Sequence, residues 1–300
     1  MTHRIAILGV PSSIGSHYAG QEKAPSALRR AGLIDCLRER GEDVVDMGDL
    51  PLRIYRPRSA LRGAQNLPGV VENCREVSRR VDNLLREGFF PLVIGGDCTI
   101  TLGVLAAFRR HVDHLGLMYF DGDVDLGTPE TSRSGILDAM GIAHALGRGA
   151  PELSRIGGDP RLLDEERIAL VGFEPGDLDE RMIRELEQSP MLRFPAPEVA
   201  ARATPAAEEA CAQLGARSDK FVLHFDVDVI DSSDCPLANF PHQRQGLSLA
   251  DAFACLRVFL SDSKVGGLVL TELNPDHDGD GTLVPEFIDL LVDAFSRSGR

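Results

Sequence analysis

Three hundred residues, 43% of them hydrophobic, can bury a large core, and this composition excludes a disordered or fibrous chain. Forty-six acidic residues against 32 basic ones give a net charge of −14, which argues against nucleic acid or an anionic membrane as partner. It would draw in a small cationic substrate, but ordinary solubility accounts for it at least as well, since net charge alone identifies no ligand. No apolar run approaches the roughly 20 residues that span a bilayer. Six cysteines without a CxxC pair fit a reducing compartment, so a cytoplasmic protein is expected.

The chain opens on a short apolar run ending at Pro11 and Ser12, which reads as a first strand rather than a signal peptide. Strand-like runs then recur at Arg4–Val10, Asp43–Met47, Phe89–Ile94, Leu115–Phe120, Ile168–Phe173, Met191–Phe194, Phe221–Phe225 and Val265–Leu270. Between them, Ala24–Arg40, Val70–Glu87, Thr101–Arg110, Ile136–Leu146, Asp177–Gln188, Ala206–Leu214, Leu249–Leu260 and Pro285–Ser296 carry apolar residues at helical spacing. This alternation predicts an α/β fold: a parallel sheet with helices on both faces. The likeliest loops, Pro51–Gly69 and Gly147–Asp164, are too short and too mixed to divide the chain, so residues 1–300 are read as one unit.

Ligands of open parallel sheets gather at the carboxyl ends of the strands, and several strand ends here carry chemistry. After the first strand, small residues and then Pro25 and Ser26 lead into a helix. The third strand ends in Gly95-Gly96-Asp97-Cys98-Thr99, where two glycines turn the chain and Thr99 is positioned to cap the next helix. The fourth ends in Asp121, Asp123 and Asp125 at alternate positions; the seventh carries His224, Asp226 and Asp228 on one face. Taken alone, each is compatible with ordinary loop chemistry. Together, five carboxylates converging on one site require a cation, and hard oxygen donors suit Mn, Mg or Ca. The last strand is followed by Glu272 near the same edge, while Asp276, Asp278 and Asp280 read as a solvated loop.

These landmarks resemble the ureohydrolase family of arginases, agmatinases and formiminoglutamases over nearly the whole chain. GGDCT is similar to its GGDHS, DGDVD to its DAHxD, FDVDVID to its SxDxDxxDP, QGLSL to its GGLT, and TELNP to its E(V/I)NP. The resemblance implies a three-layer α/β/α fold with an eight-stranded parallel sheet, and a binuclear manganese site that hydrolyses a guanidine-type C–N bond in a guanidino, ureido or formimino compound. It also implies a homo-oligomer, a trimer or hexamer. Carried over residue by residue, Asp121 and Asp226 match bridging aspartates and Asp125 and Asp228 match terminal ones. Glu272 matches the acid that holds the guanidinium, and Ser248 a nearby hydroxyl.

The departures concern histidines. The family's two metal-binding histidines fall on Cys98 and Asp123 here, and a substrate-side histidine falls on Asp138. Cys98 and Asp123 therefore join the candidate metal ligands and Asp138 the candidate catalytic residues. The extra negative charge raises the pKa of bound water and dulls a Lewis acid. The alternative reading is a catalytically altered member of the fold with a weak or absent metal site. Of the other histidines, His224 reads as a hydrogen-bonded core imidazole, His144 and His277 as candidates to reach substrate, and His111 and His114 as surface residues.

Overall fold

A computed structural model of the chain describes residues 4–57, 63–158, 161–240, 242–243 and 245–296. Eight strands, β1 (Arg4–Gly9), β2 (Asp43–Asp49), β3 (Phe90–Ile94), β4 (Leu115–Phe120), β5 (Ile168–Val171), β6 (Leu192–Phe194), β7 (Lys220–Asp226) and β8 (Val265–Thr271), form one sheet. Their order is β2-β1-β3-β8-β7-β4-β5-β6, and each neighbouring pair runs parallel. Among the described residues the α-helices are α1 (Ala24–Arg30), α2 (Leu33–Glu39), α3 (Leu67–Arg86), α4 (Ile100–Phe108), α5 (Gly141–Ala145), α6 (Pro151–Ser154), α7 (Glu180–Gln188), α8 (Ala196–Ala201), α9 (Ala203–Gly215), α10 (Leu249–Ser261) and α11 (Leu283–Phe295). None is long and apolar enough to cross a membrane.

Strands covered on both faces must be apolar throughout rather than alternating, and β3 and β4 are buried at every position. Side chains on a strand point alternately to opposite faces, so each strand feeds two cores. On one face Phe120 and Phe225 pack with Phe253, Phe259 and Phe287 from α10 and α11. On the other, Leu117, Val93 and Val222 meet Val77 of α3 and Leu102 of α4. This is the three-layer α/β/α arrangement expected.

Several boundaries differ from the expected ones for local reasons. The run Ala24–Arg40 divides because Gly32 adopts φ 94°, a left-handed conformation that ends one helix and starts the next. Ile136–Leu146 becomes a turn of 3-10 helix, Asp138–Met140, followed by α5, and α8 lies outside every expected helix. Parts of the loops Pro51–Gly69 and Gly147–Asp164 (residues 58–62 and 159–160) lie outside the described residues; α3 begins within the first and α6 within the second. Thr99 occupies the position before α4, but its hydroxyl donates to Asp97 Oδ1 instead of capping the helix.

Candidate metal centre

The four central strands, β3, β8, β7 and β4, are neighbours, and the segments leaving their carboxyl ends converge. They line a cavity of about 140 Å³ with Cys98 after β3, Asp121, Asp123 and Asp125 after β4, Asp226 and Asp228 at the end of β7, and Glu272 after β8. Asp138, from the 3-10 turn before α5, closes the ring of seven carboxylates. No lysine or arginine lines the cavity among the described residues.

Alternate spacing along an extended strand is not what gathers the acids after β4, since that strand ends at Phe120. The Asp123 amide donates to Asp121 Oδ1 at 2.7 Å, folding the chain back, and Asp125 is held at φ 45°. Glu272 likewise adopts φ 61°. Left-handed backbone costs about 1–2 kcal/mol for a residue with a Cβ, and such outliers cluster at functional sites. Beyond β7 the chain enters a 3-10 turn, Val227–Val229, in which the Asp228 amide donates to Asp226 Oδ1 at 2.9 Å, so both carboxylates still face the cavity.

The acids are solvated by neutral donors. Asp226 Oδ2 accepts from Cys98 Sγ at 2.6 Å and Thr271 Oγ1 at 3.0 Å; Asp228 Oδ1 accepts from the Gly122 amide at 3.0 Å. Asp125 Oδ2 accepts from the Tyr119 hydroxyl at 2.5 Å, and Asp138 Oδ1 from the Cys98 amide at 2.6 Å. Glu272, 2% exposed, accepts from Gln21 Nε2 at 3.5 Å on Oε1 and shares a carboxyl–carboxylate hydrogen bond with Asp138. Burial and then neighbouring carboxylates push the Asp121 and Glu272 carboxyls well above the ordinary range; Asp138 is pushed up to about 8 by burial, then by Asp97 and Asp226. Burial, then Asp226, also holds the Cys98 thiol protonated.

A sequence model described as "Arginase family" matches residues 3–287. The chain belongs to the arginase family. It is 33% identical to the arginase of Bacillus caldovelox over 277 residues, 90% of this chain and 91% of that one. Against the arginase of Bacillus subtilis strain 168 it is 29% identical over 296 residues, 97% of this chain and 98% of the relative. The solved native structure of the Bacillus caldovelox enzyme at pH 5.6 superimposes with a TM-score of 0.90 at 30% identity, with all of both chains covered.

In this arginase-family chain, every acid expected at the site lines the cavity, with Asp123 its most exposed member at 50% of its side chain. Ser248 requires correction. It stands before α10, where its Oγ accepts from the Asp251 amide at 3.0 Å and donates to Asp251 Oδ2 at 2.7 Å; it is a helix cap and does not line the cavity. His144 and His277 also stay outside. His144 spends both ring nitrogens on backbone, the Met140 carbonyl and the Ala150 amide, and His277 Nδ1 faces the Ala238 carbonyl at 3.0 Å. His111 pairs with Asp82, and His114 with Asp219 at the surface.

His224 is buried as expected, but it is no bystander: Nε2 lies 3.2 Å from Asp121 Oδ2. Three further residues escape sequence reasoning. His242 places Nε2 3.5 Å from Asp123 Oδ2 and 3.8 Å from Asp228 Oδ2, and Asp123 beside it raises its pKa against the opposing effect of burial. His17 and Phe240 flank the cavity with ring centroids 6.2 Å apart. His242 lies in a loop with no strand end or motif spacing to signal it.

Donor chemistry fits a divalent cation. Seven carboxylates share one cavity without a lysine or arginine among the described residues, which is costly unless a cation or cationic ligand enters. Cys98, Asp121, His224 and Asp226 bring ligand atoms within 4.8 Å of one another, as do Cys98, Asp138 and Glu272, and Asp123, Asp228 and His242.

Proposed function

We propose that the protein is a divalent-metal-dependent hydrolase that cleaves a C–N bond of a guanidino, ureido or formimino compound, with manganese as its cofactor. The observation that carries this reading is the gathering of seven carboxylates, Glu272 among them, in one cavity with no lysine or arginine among the described residues, a match for divalent cations and a planar cationic head group. When bound, the metal supplies Lewis acidity and lowers the pKa of water toward neutrality. Asp121, Asp125, Asp226 and Asp228 would hold it, with Cys98 and Asp123 beside them.

Glu272 binds the substrate's cationic nitrogens and fixes its central carbon over the aspartates. Water adds its oxygen to that carbon and gives a proton to Asp125, whose Oδ2 is oriented by Tyr119. The C–N bond to the substrate tail then breaks. Asp138, whose proton burial, Asp97 and Asp226 hold more tightly than an ordinary carboxyl's, donates it to the leaving nitrogen.

Purified protein supplied with Mn²⁺ and assayed against arginine, agmatine, guanidinobutyrate and formiminoglutamate is expected to release urea, or formamide or ammonia, from at least one. Absence of turnover with every guanidino or formimino compound at every metal load contradicts the reading. Self-association, implied by the family, is checked by light scattering.

A further inference from the structure

We infer that this chain supplies the imidazole donors of its metal centre from new positions: His224 Nε2 beside Asp121 and Asp226, and His242 Nε2 beside Asp123 and Asp228. The inference rests on the preceding reading that the cavity holds divalent cations, and it identifies ligands which that reading does not contain.

His224 is placed as a ligand rather than as core filler. Its ring stacks on Tyr119 with centroids 4.2 Å apart and planes 9° apart, so its plane is fixed. Nδ1 lies 2.8 Å from Thr101 Oγ1, on the side away from the acids. Nε2 faces Asp121 Oδ2 at 3.2 Å and Asp226 Oδ2 at 3.9 Å. Metal-binding histidines characteristically give their second nitrogen to an oxygen acceptor, which sets the tautomer and leaves the lone pair on the nitrogen facing the ion. Thr101 Oγ1, a hydroxyl that can donate or accept, would fill that role once a cation replaces the Nε2 proton, which otherwise faces Asp121 Oδ2 and Thr271 Oγ1.

His242 repeats the arrangement at the outer edge. Nδ1 lies 3.2 Å from Asp177 Oδ2, a carboxylate behind the ring, while Nε2 looks toward Asp123 and Asp228. A Cβ added at Gly122 would lie 2.8 Å from the His242 ring, so the imidazole packs directly on the loop that follows β4. Distances of 3.5 and 3.8 Å are long for hydrogen bonds, but two donors about 2.1 Å from one ion lie roughly 3.0–3.5 Å apart. The seven carboxylates that share the cavity, with no lysine or arginine among the described residues, are an independent sign that it takes a cation.

The positions are complementary to the departures noted in the motifs. Histidine is absent at Cys98 and present at His224, where the resembled motif has serine; it is absent at Asp123 and present at His242, against Asp123 itself. Each donor group loses an imidazole from one segment and regains it from a neighbouring one.

The test is Mn²⁺ titration of the full-length protein, followed by electron paramagnetic resonance, with pulsed detection of ¹⁵N in protein carrying labelled histidine. Wild-type protein is expected to bind about two Mn²⁺ per chain with imidazole nitrogen coupled to the bound ion. His242→Gln is expected to weaken one site by tenfold or more while leaving the other. His224→Gln removes a buried ring and risks misfolding, so Thr101→Val, which removes only the acceptor behind it, serves as the second variant. It is expected to weaken the deep site about 10–100-fold. Mn²⁺ bound tightly without nitrogen coupling, or unchanged affinities in all variants, overturns the inference and leaves the hydrolase reading standing. No binding of Mn²⁺ by the wild-type protein overturns both.

Discussion

Tyr119 and His224 are register partners on β4 and β7, stacked face to face with ring centroids 4.2 Å apart. Tyr119 donates from its hydroxyl to Asp125, and His224 presents Nε2 to Asp121. One cross-strand pair therefore orients two of the site's acids from below, which ties the rigid centre of the sheet to the reacting groups.

Tyr119→Phe keeps the stacked ring and removes the only described donor to Asp125 Oδ2. The expected outcome is a folded protein with kcat/KM lowered about 10–100-fold, the range seen when a supporting partner of a functional group is lost. Steady-state kinetics with a thermal melt checks it. Unchanged kinetics would remove Tyr119 from the proton path.

The acid cluster also sets a pH dependence in metal-free protein. Burial and mutual repulsion raise the folded-state pKa of Asp121, Asp125, Asp228 and Glu272, and carry Asp138 to about 8. A carboxyl with a raised folded pKa contributes stability that is fully present below its unfolded value, about 4, and is lost as pH rises through the folded value. In chelator, Tm is expected to fall as pH rises from about 5 to about 9, and added Mn²⁺ to restore it most at the alkaline end. A Tm that rises across that interval in chelator contradicts this account.

Asp228→Asn separates stability from binding. The amide retains an oxygen for the Gly122 amide and removes a charge from the repelling group. Metal-free Tm is expected to rise, while Mn²⁺ affinity falls by more than the roughly 10–100-fold that a supporting residue is worth. Calorimetric titration beside thermal melts reads both signs.

Gly96 brings the loop after β3 against the loop after β1. A Cβ there would lie 2.0 Å from the Ser12 carbonyl oxygen, a backbone atom that cannot rotate away. Gly96→Ala is expected to destabilise by about 1–3 kcal/mol and to displace Cys98. Gly279→Ala, with nothing within 4 Å, is expected to stay within about 0.5 kcal/mol of wild type. Urea melts compare the two.

Much of the site was legible because strand ends advertise themselves: apolar runs stop at Asp121, Asp226 and Glu272, and parallel topology brings those ends together. The reason their companions follow was not legible. Asp123 and Asp125 are placed by an amide-to-carboxylate turn and a left-handed residue, which a period-2 pattern cannot express. Ser248 looked like a site hydroxyl from its motif, yet capping Asp251 satisfies it locally. His242 is the opposite case: its partners Asp123, Asp177 and Asp228 lie far away in sequence, so only the folded chain connects them. Gly32 divides a helix whose apolar pattern runs on unbroken, because backbone conformation and not hydrophobic spacing decides that stop.

The most direct measurement is elemental analysis of the native protein by mass spectrometry, with a thermal melt on added metal. On the proposal that the acids at the ends of β4, β7 and β8 hold cations, the protein is expected to carry at least one divalent ion per chain, approaching two when Mn²⁺ is supplied, with a clear rise in Tm. Less than about a tenth of an equivalent of any divalent metal, and no shift of Tm on adding Mn²⁺, Zn²⁺, Fe²⁺ or Ca²⁺, would contradict it.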